Sequence, residues 1–564
     1  MNPPRFVAIV LAFTAAALYL AFQPVRSVRA VSKRPHFTDI ASRSKFSYIS
    51  KNSYAPGRRK YFVQVMCGGV AIFDYDNDGK MDIFFTNGAK MPEMKRVDSS
   101  YYNCLLRNKG DGTFEDVTEK AGLTGAGTDF SFGVAVGDYD NDGYEDLFIC
   151  NAGQNRLYHN NGNGTFTDVT EQSGIGGKPK DTVSVAAAWF DYDNDGLLDL
   201  VVSNYTFWSP KLDLLCGEGG QPEYCDPRRY PSVPHRLYHN LGHGKFEDVT
   251  DTSGFKDAPG KGMGISIADF NNDGLLDAFI ANDTDPNSLF INKGKGKFED
   301  RALELGVAYN DNAATVSSMG CDAADFDNDG NIDIFANNLM GQVWQLYRNL
   351  GGSFRYFSNA AKIRQLSSGY SGWSNGFIDY NNDGWMDLYS SNGDVDYFAA
   401  NAKQHDTLFE NIDGKHFTDV SGEMGPDFLH TGFQRGSAFG DLNNDGSEDM
   451  VVTSLNERPR ILMNSADSGN HWLVLSLTGT YSCRDAIGAN VKLTTASGRV
   501  LYNHVNVSVG FMGSSDKRVH FGLGSETGIK SIEIRWPRGT LQKLENIKAD
   551  QFLNITEPPH TAAK

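Results

Sequence analysis

A nine-residue acidic loop, Asp-x-Asp/Asn-x-Asp-Gly-x-x-Asp, recurs seven times along the chain, each copy directly after an apolar run. Positions 1, 3, 5 and 9 are Asp74, Asp76, Asp78 and Asp82 in the first copy, and Asp138, Asp140, Asp142 and Asp146 in the second. They are Asp191, Asp193, Asp195 and Asp199, then Asp269, Asn271, Asp273 and Asp277, in the next two. The last three copies have Asp325, Asp327, Asp329 and Asp333; Asp379, Asn381, Asp383 and Asp387; and Asp441, Asn443, Asp445 and Asp449. Three or four carboxylates so close together repel one another unless a cation sits among them. Calcium takes six to eight oxygens in a flexible shell, and this spacing supplies them. Position 6 is always Gly, where a tight turn calls for positive φ. Position 7 varies freely, as a backbone carbonyl ligand allows.

A lone loop of this kind is an ordinary turn, but seven in matching context define a repeat. The loop is shorter than that of an EF-hand, which closes on Glu at position 12, and strands rather than amphipathic helices flank it. Positions 1, 3, 5 and 9 of the loops hold 25 of the chain's 70 acidic residues. Seven bound Ca²⁺ would reduce the net charge of −18 to about −4. The acidity is therefore mostly explained by metal, and a nucleic-acid partner is excluded.

The loops start 64, 53, 78, 56, 54 and 62 residues apart. That period fits four-stranded units, and 60 Gly with 12% aromatics fits short strands and tight turns. An all-β, seven-bladed propeller follows, spanning residues 31–466, with each loop joining the first two strands of a unit. A Phe-x-Asp-apolar signature marks the fourth strand at Phe114, Phe166, Phe246, Phe298 and Phe417, with a degenerate copy near Phe354. The last unit lacks it, whereas Phe37-Thr38-Asp39-Ile40 carries it ahead of the first, so residues near 37–40 are expected to close the ring. Five residues beyond each ninth position stand Asn87, Asn151, Asn204, Asn282, Asn338 and Asn392, with Ser454 breaking the series. These are either strand-ending turn residues or a polar ring on the face opposite the loops, where a ligand would bind. The longest insertion, from Asn204 to His235, starts on that face.

The N-terminus carries an apolar run from Phe6 to Phe22, with Arg26, Arg29, Lys33 and Arg34 after it. Residues 1–30 read as a secretory signal or as an N-terminal membrane anchor, and either reading exports the rest. Of seven cysteines, only Cys216 and Cys225 lie close in sequence, and they are the disulfide candidates; the odd total leaves at least one unpaired or paired between chains.

These repeats resemble the FG-GAP/VCBS class, familiar from integrin α-subunit propellers, in which calcium loops are hairpin turns facing away from ligand. A second resemblance begins at Asn470-His471-Trp472-Leu473. It continues through Arg484-Asp485-Ala486-Ile487-Gly488-Ala489, Gly510-Phe511-Met512-Gly513-Ser514-Ser515-Asp516, His520-Phe521-Gly522-Leu523-Gly524 and Ile534-Arg535-Trp536-Pro537. This is similar to the ASPIC/UnbV domain, and the combination resembles the cartilage acidic protein family. Residues 467–557 alternate apolar and polar positions between Gly turns, as a small β-sandwich-like module does; 558–564 form a tail. Arg484-Asp485 reads as an internal ion pair or a polar site, and Trp472 and Trp536 as core.

The resemblance implies an extracellular recognition or adhesion scaffold, with a protein or glycan ligand and calcium as a structural brace. The alternative is a propeller-borne hydrolase, lyase or cyclase acting on the face opposite the loops. The sequence shows no triad order or His-rich metal set. His159 and His239 recur in matching Leu-Tyr-His-Asn strands and read as packing, while Asp283/Asp285 and Asp394/Asp396 read as solvated loop acids or a cation or sugar site.

Overall fold

The computed structural model describes residues 34–55, 60–176, 181–217, 223–395 and 401–560. The apolar segment 6–22, and with it the signal or anchor reading, lies outside them, as does Asp396. No helix among the described residues is long and apolar enough to cross a membrane.

Each acidic loop joins the first two strands of a four-stranded antiparallel unit. In the first unit Val70–Phe73 pairs with Asp82–Phe85, which pairs with Cys104–Asn108 and then with Phe114–Asp116. The same order recurs to give seven units, whose inner strands are Val70–Phe73, Phe130–Gly137, Thr182–Phe190, Gly262–Ala268, Ser318–Ala324, Gly372–Ile378 and Gln434–Gly440. These strands are buried along their whole length because each sheet packs between two others. The sequence there runs apolar and small instead of alternating, as in strands covered on both faces. Neighbouring inner strands touch around the ring, and Gln434–Gly440 returns to Val70–Phe73. The outermost strand of the last unit is Phe37–Asp39, paired with Arg460–Asn464 in the register Phe37 to Asn464. The unit with the degenerate signature still has a regular outer strand, Phe354–Tyr356.

The C-terminal module has two sheets. One contains Val519–Gly524, His471–Thr478 and Gln551–Thr556; the other contains Val500–His504, Asn490–Thr495, Gly528–Arg535 and Leu541–Lys548. Leu473, Leu475, Val491, Leu493, Ile532, Ile534 and Trp536 fill the space between them. Trp472 is half-buried and lies against the Gly446 turn, so only Trp536 is a core tryptophan.

This module sits on the acidic-loop face of the propeller. Arg484 N–H donates to Asn141 Oδ1 at 2.8 Å. Arg499 donates to the Asp383 and Gly384 carbonyls at 2.6 and 2.9 Å, and Arg518 to Asn444 Oδ1 and the Asp441 carbonyl at 2.7 and 2.8 Å. Arg538 and Arg535 lie against Gly196 and Gly274 of two further loops. Arg484 and Asp485 do not form the expected internal ion pair. Asp485 instead accepts from Asp138 N–H at 2.7 Å and from Lys517 Nζ at 2.6 Å, while Arg484 reaches toward Asp138. Both residues serve the interface, because the propeller carboxylates attract the arginine more strongly than its own neighbour does.

From the same module a finger enters the channel of the ring. Its two short strands, Ser508–Val509 and Gly513–Ser514, pair with each other, and Gly513–Ser514 runs parallel to Val70–Ala71. Gly510 bonds Cys321 through backbone in both directions, and Phe511 and Met512 at the tip are fully buried. The Phe511 ring lies 5.3 Å from that of Trp373. Gly510 has φ +73°, and a Cβ there would stand 2.2 Å from Ser374 Oγ and 2.5 Å from the Asn375 carbonyl. Gly510→Ala is therefore expected to cost roughly 3 kcal/mol. The checks are a lowered melting temperature and faster proteolytic nicking between propeller and C-terminal module; an unchanged melt would show that the finger tolerates displacement.

Candidate functional site

In every loop the first aspartate accepts the N–H of position 5 with one oxygen and that of Gly at position 6 with the other, at 2.7–3.1 Å. The turn that sets up the loop is thus built by one of its own ligand residues. The ninth residue is buried and accepts the backbone N–H of the Asn that ends the third strand, at 2.7–2.8 Å in all seven units. Carboxylate oxygens of Asp74, Asp76 and Asp82, of Asp138, Asp140 and Asp142, and of Asp191, Asp193 and Asp195 gather within 4.8 Å of one another. Burial first, and then neighbouring carboxylates, push Asp82 up to about 8 and Asp191 and Asp325 up to about 7. Asp76 Oδ1, Asp327 Oδ1 and Asp387 Oδ2 are buried with no hydrogen bond. Convergent hard oxygens, some lacking a donor, fit a divalent cation of the calcium type; such an ion would supply the positive charge that makes their crowding tolerable.

His159 and His239 pack against Tyr139 and Tyr192, with ring centroids 6.1 and 5.7 Å apart, and also face loop carboxylates. Nδ1 lies 3.2 Å from Asp146 in one and 3.1 Å from Asp199 in the other, and the Asp199 contact raises His239 to about 9.

Two sets of asparagines pass unremarked in the sequence reading although each is present in all seven copies. The Asn ending each third strand donates Nδ2 to the second-position carbonyl of the preceding unit's loop. These residues are Asn108, Asn160, Asn240, Asn292, Asn349, Asn411 and Asn464, and the bonds run unbroken around the ring at 2.7–2.9 Å. The fourth-position asparagines have φ of 56–60°. Five of them reach the Gly carbonyl of the next loop, and one of these five, Asn444, does so across the closure to Gly79. Their invariance at fixed loop positions was the readable signal.

The series Asn87, Asn151, Asn204, Asn282, Asn338 and Asn392 lies on the opposite face but presents no polar ring to solvent. Each side chain is at most 2% exposed, and each Nδ2 donates at 2.6–3.0 Å to a carbonyl in the connection leading to the third strand. A short connection leaves carbonyls facing inward, and the amide satisfies them.

Beside these asparagines opens a cleft of about 430 Å³. It is walled by Phe62, Tyr205, Tyr224 and Tyr230, by Leu339, Gln342 and Val395, and by the Asp283–Thr284 turn. The disulfide between Cys216 and Cys225 pins the insertion that supplies one wall, while Cys67, Cys104, Cys150, Cys321 and Cys483 are free and buried. Asp283 is a buried acid and not a solvated one. Tyr205 Oη donates to its Oδ2 at 2.7 Å, and burial pushes it up to about 6. Asp285 pairs with Lys261 at 3.1 Å, and Asp394 is 9% exposed.

The FG-GAP-like repeat matches five overlapping stretches, residues 74–149, 138–202, 211–280, 269–336 and 325–390. The chain belongs to the FG-GAP repeat family. Its C-terminal module matches the ASPIC and UnbV family over residues 479–562. Cartilage acidic protein 1 of Homo sapiens is 24% identical over 520 residues, covering 87% of this FG-GAP chain and 71% of its own length. The Xenopus tropicalis protein of that name is 25% identical, covering 84% and 70%. Among solved structures, the BP39L lectin of Burkholderia pseudomallei aligns with a TM-score of 0.44 at 9% identity, covering 71% of this chain and 96% of its own. An Agrocybe aegerita lectin aligns with a TM-score of 0.40 at 16% identity, covering 73% and 90%.

Asn160→Ala removes two amide bonds, to the Tyr75 and Glu145 carbonyls, and strands both carbonyls in the ring. The expected loss is about 2–4 kcal/mol, read as a lower denaturant midpoint. A change within ±0.5 kcal/mol would show that the amide ring is not a stabilising element.

Proposed function

We propose that this FG-GAP protein is an exported recognition scaffold, with calcium bracing the seven loops and a protein or glycan ligand meeting the face opposite them. The observation that carries this reading is the division of the two faces. The acidic-loop face is covered by the C-terminal module, whose finger occupies the channel, whereas the opposite face keeps the cleft beside the disulfide-pinned insertion. A disulfide at Cys216–Cys225 favours an oxidising compartment, where calcium is also plentiful. Aromatic walls with a few polar groups are the usual lining of a ligand site.

Asp283 favours a second reading, a propeller-borne enzyme. A carboxyl that burial pushes up to about 6 against the lowering effect of a tyrosine hydroxyl donating to it is the kind of group that transfers protons.

Chelation tests the metal. With seven sites filled at millimolar calcium, excess EGTA is expected to lower the melting temperature by about 10 °C or more; an unchanged melt would sink the calcium reading. Glycan and protein-ligand arrays probed with wild type and with Leu339→Arg and Val395→Arg test the face. The expected result is loss of the array signal with melting temperature retained. Equal binding by both variants would refute the assignment, and turnover of an arrayed glycan, abolished in Asp283→Asn, would establish the enzyme instead.

A further inference from the structure

The third loop position is Asp in loops 1, 2, 3 and 5 and Asn in loops 4, 6 and 7. Facing it, one residue before the ring asparagine of the third strand, stands a position outside the motif. It is Arg107, His159, His239 and Arg348 in the first group, and Ile291, Glu410 and Met463 in the second. At this third-strand position every loop with the fourth carboxylate has a basic residue, and no loop without that carboxylate has one.

The contacts are direct. Arg107 Nε lies 2.7 Å from Asp76 Oδ2 and its Nη2 3.1 Å from Asp78, while Arg348 Nε lies 2.5 Å from Asp327 Oδ2 and its Nη2 3.1 Å from Asp329. His159 and His239 place Nδ1 at 3.5 and 3.7 Å from Asp140 and Asp193. In loop 6, where Glu410 would add a charge, Arg34 Nη2 lies 2.9 Å from it.

We infer that this third-strand residue sets the charge a loop offers its cation: in loops 1 and 5 the guanidinium neutralises the third-position carboxylate, which brings the motif to the net charge of the loops that carry Asn there. The inference rests on the calcium reading for its ligand but on the ion pairs for its geometry. A guanidinium could instead occupy the cation's own seat. The two arginine loops argue against that, because Asp76 and Asp327 each turn one oxygen to the arginine and leave the other, Oδ1, buried without a hydrogen bond. One oxygen of each is therefore still available to an ion.

The test is a double-mutant cycle in the full chain, with Arg107→Met, Asp76→Asn and the pair together, repeated with Arg348→Met and Asp327→Asn. Two readouts are needed. Chelator-competition titration gives the number and affinity of bound Ca²⁺, and melting in EGTA reads the ion pair with no metal present. Arg107→Met is expected to tighten one calcium site by about fivefold and Asp76→Asn to weaken it by about as much. The double variant should return to within about twofold of wild type. In EGTA, Arg107→Met should melt lower and Asp76→Asn should restore it. A double variant whose calcium affinity stays at that of either single variant would overturn the inference, as would additive effects in the EGTA melting cycle, where the ion pair is the coupling. So would an extra bound Ca²⁺ in Arg107→Met, since that would place the guanidinium in the cation's seat. If wild type bound no calcium, the calcium reading would fail, and the EGTA melts alone would decide whether the pairs compensate charge.

Discussion

Twenty-five loop carboxylates face one side of a single disc, and their mutual repulsion is the condition the rest of the molecule answers. Backbone N–H groups hold the first aspartate of every loop, and arginines or histidines stand beside the third where it is charged. The C-terminal module brings Arg484, Arg499, Arg518, Arg535 and Arg538 onto the same face. Asparagine amides tie each loop to its neighbour with neutral bonds that repulsion does not weaken. Like charges gathered this closely in a partly buried setting would otherwise favour opening of the ring.

The docked module also removes the channel as a route through the disc. Phe511 and Met512 complete an apolar plug with Phe62, Met66, Met263, Met319 and Trp373, and it joins units distant in sequence. A surface that in other arrangements would be free becomes an internal interface, and the side bearing the insertion keeps the open cleft.

The acidic loop, its spacing and its strand neighbours were enough to read a propeller with acidic hairpin loops, because those features are local and repeated. The cartilage-acidic-type C-terminal module was legible through its motifs, but its position was not: nothing in Gly510-Phe511-Met512 states that it enters the ring, since that contact spans hundreds of residues. The Asn87 to Asn392 series was left between two readings, turn residues and a polar ring, for a different reason. A polar residue at a strand end reads as exposed, yet here the turn carbonyls demanded an inward amide. Asp283 reversed likewise, because burial follows from the insertion folding over it and not from its own sequence context. The charge pairing of Arg107 with Asp76 was visible in principle, as a correlation between two columns of the repeat.

Closure by Phe37–Asp39 has a consequence for how the chain must be made. The strand that emerges first during synthesis finds its partner, Arg460–Asn464, only after nearly all of the propeller exists. Until then the last sheet has an open edge and the first strand has no sheet at all. Such long-range pairing is slow to form and exposes strands that attract the wrong partners. The finger can seat only once the ring around it is assembled, so the C-terminal module becomes a late lock on an otherwise reversible circle. Folding order is thereby written into the circular permutation of one short strand.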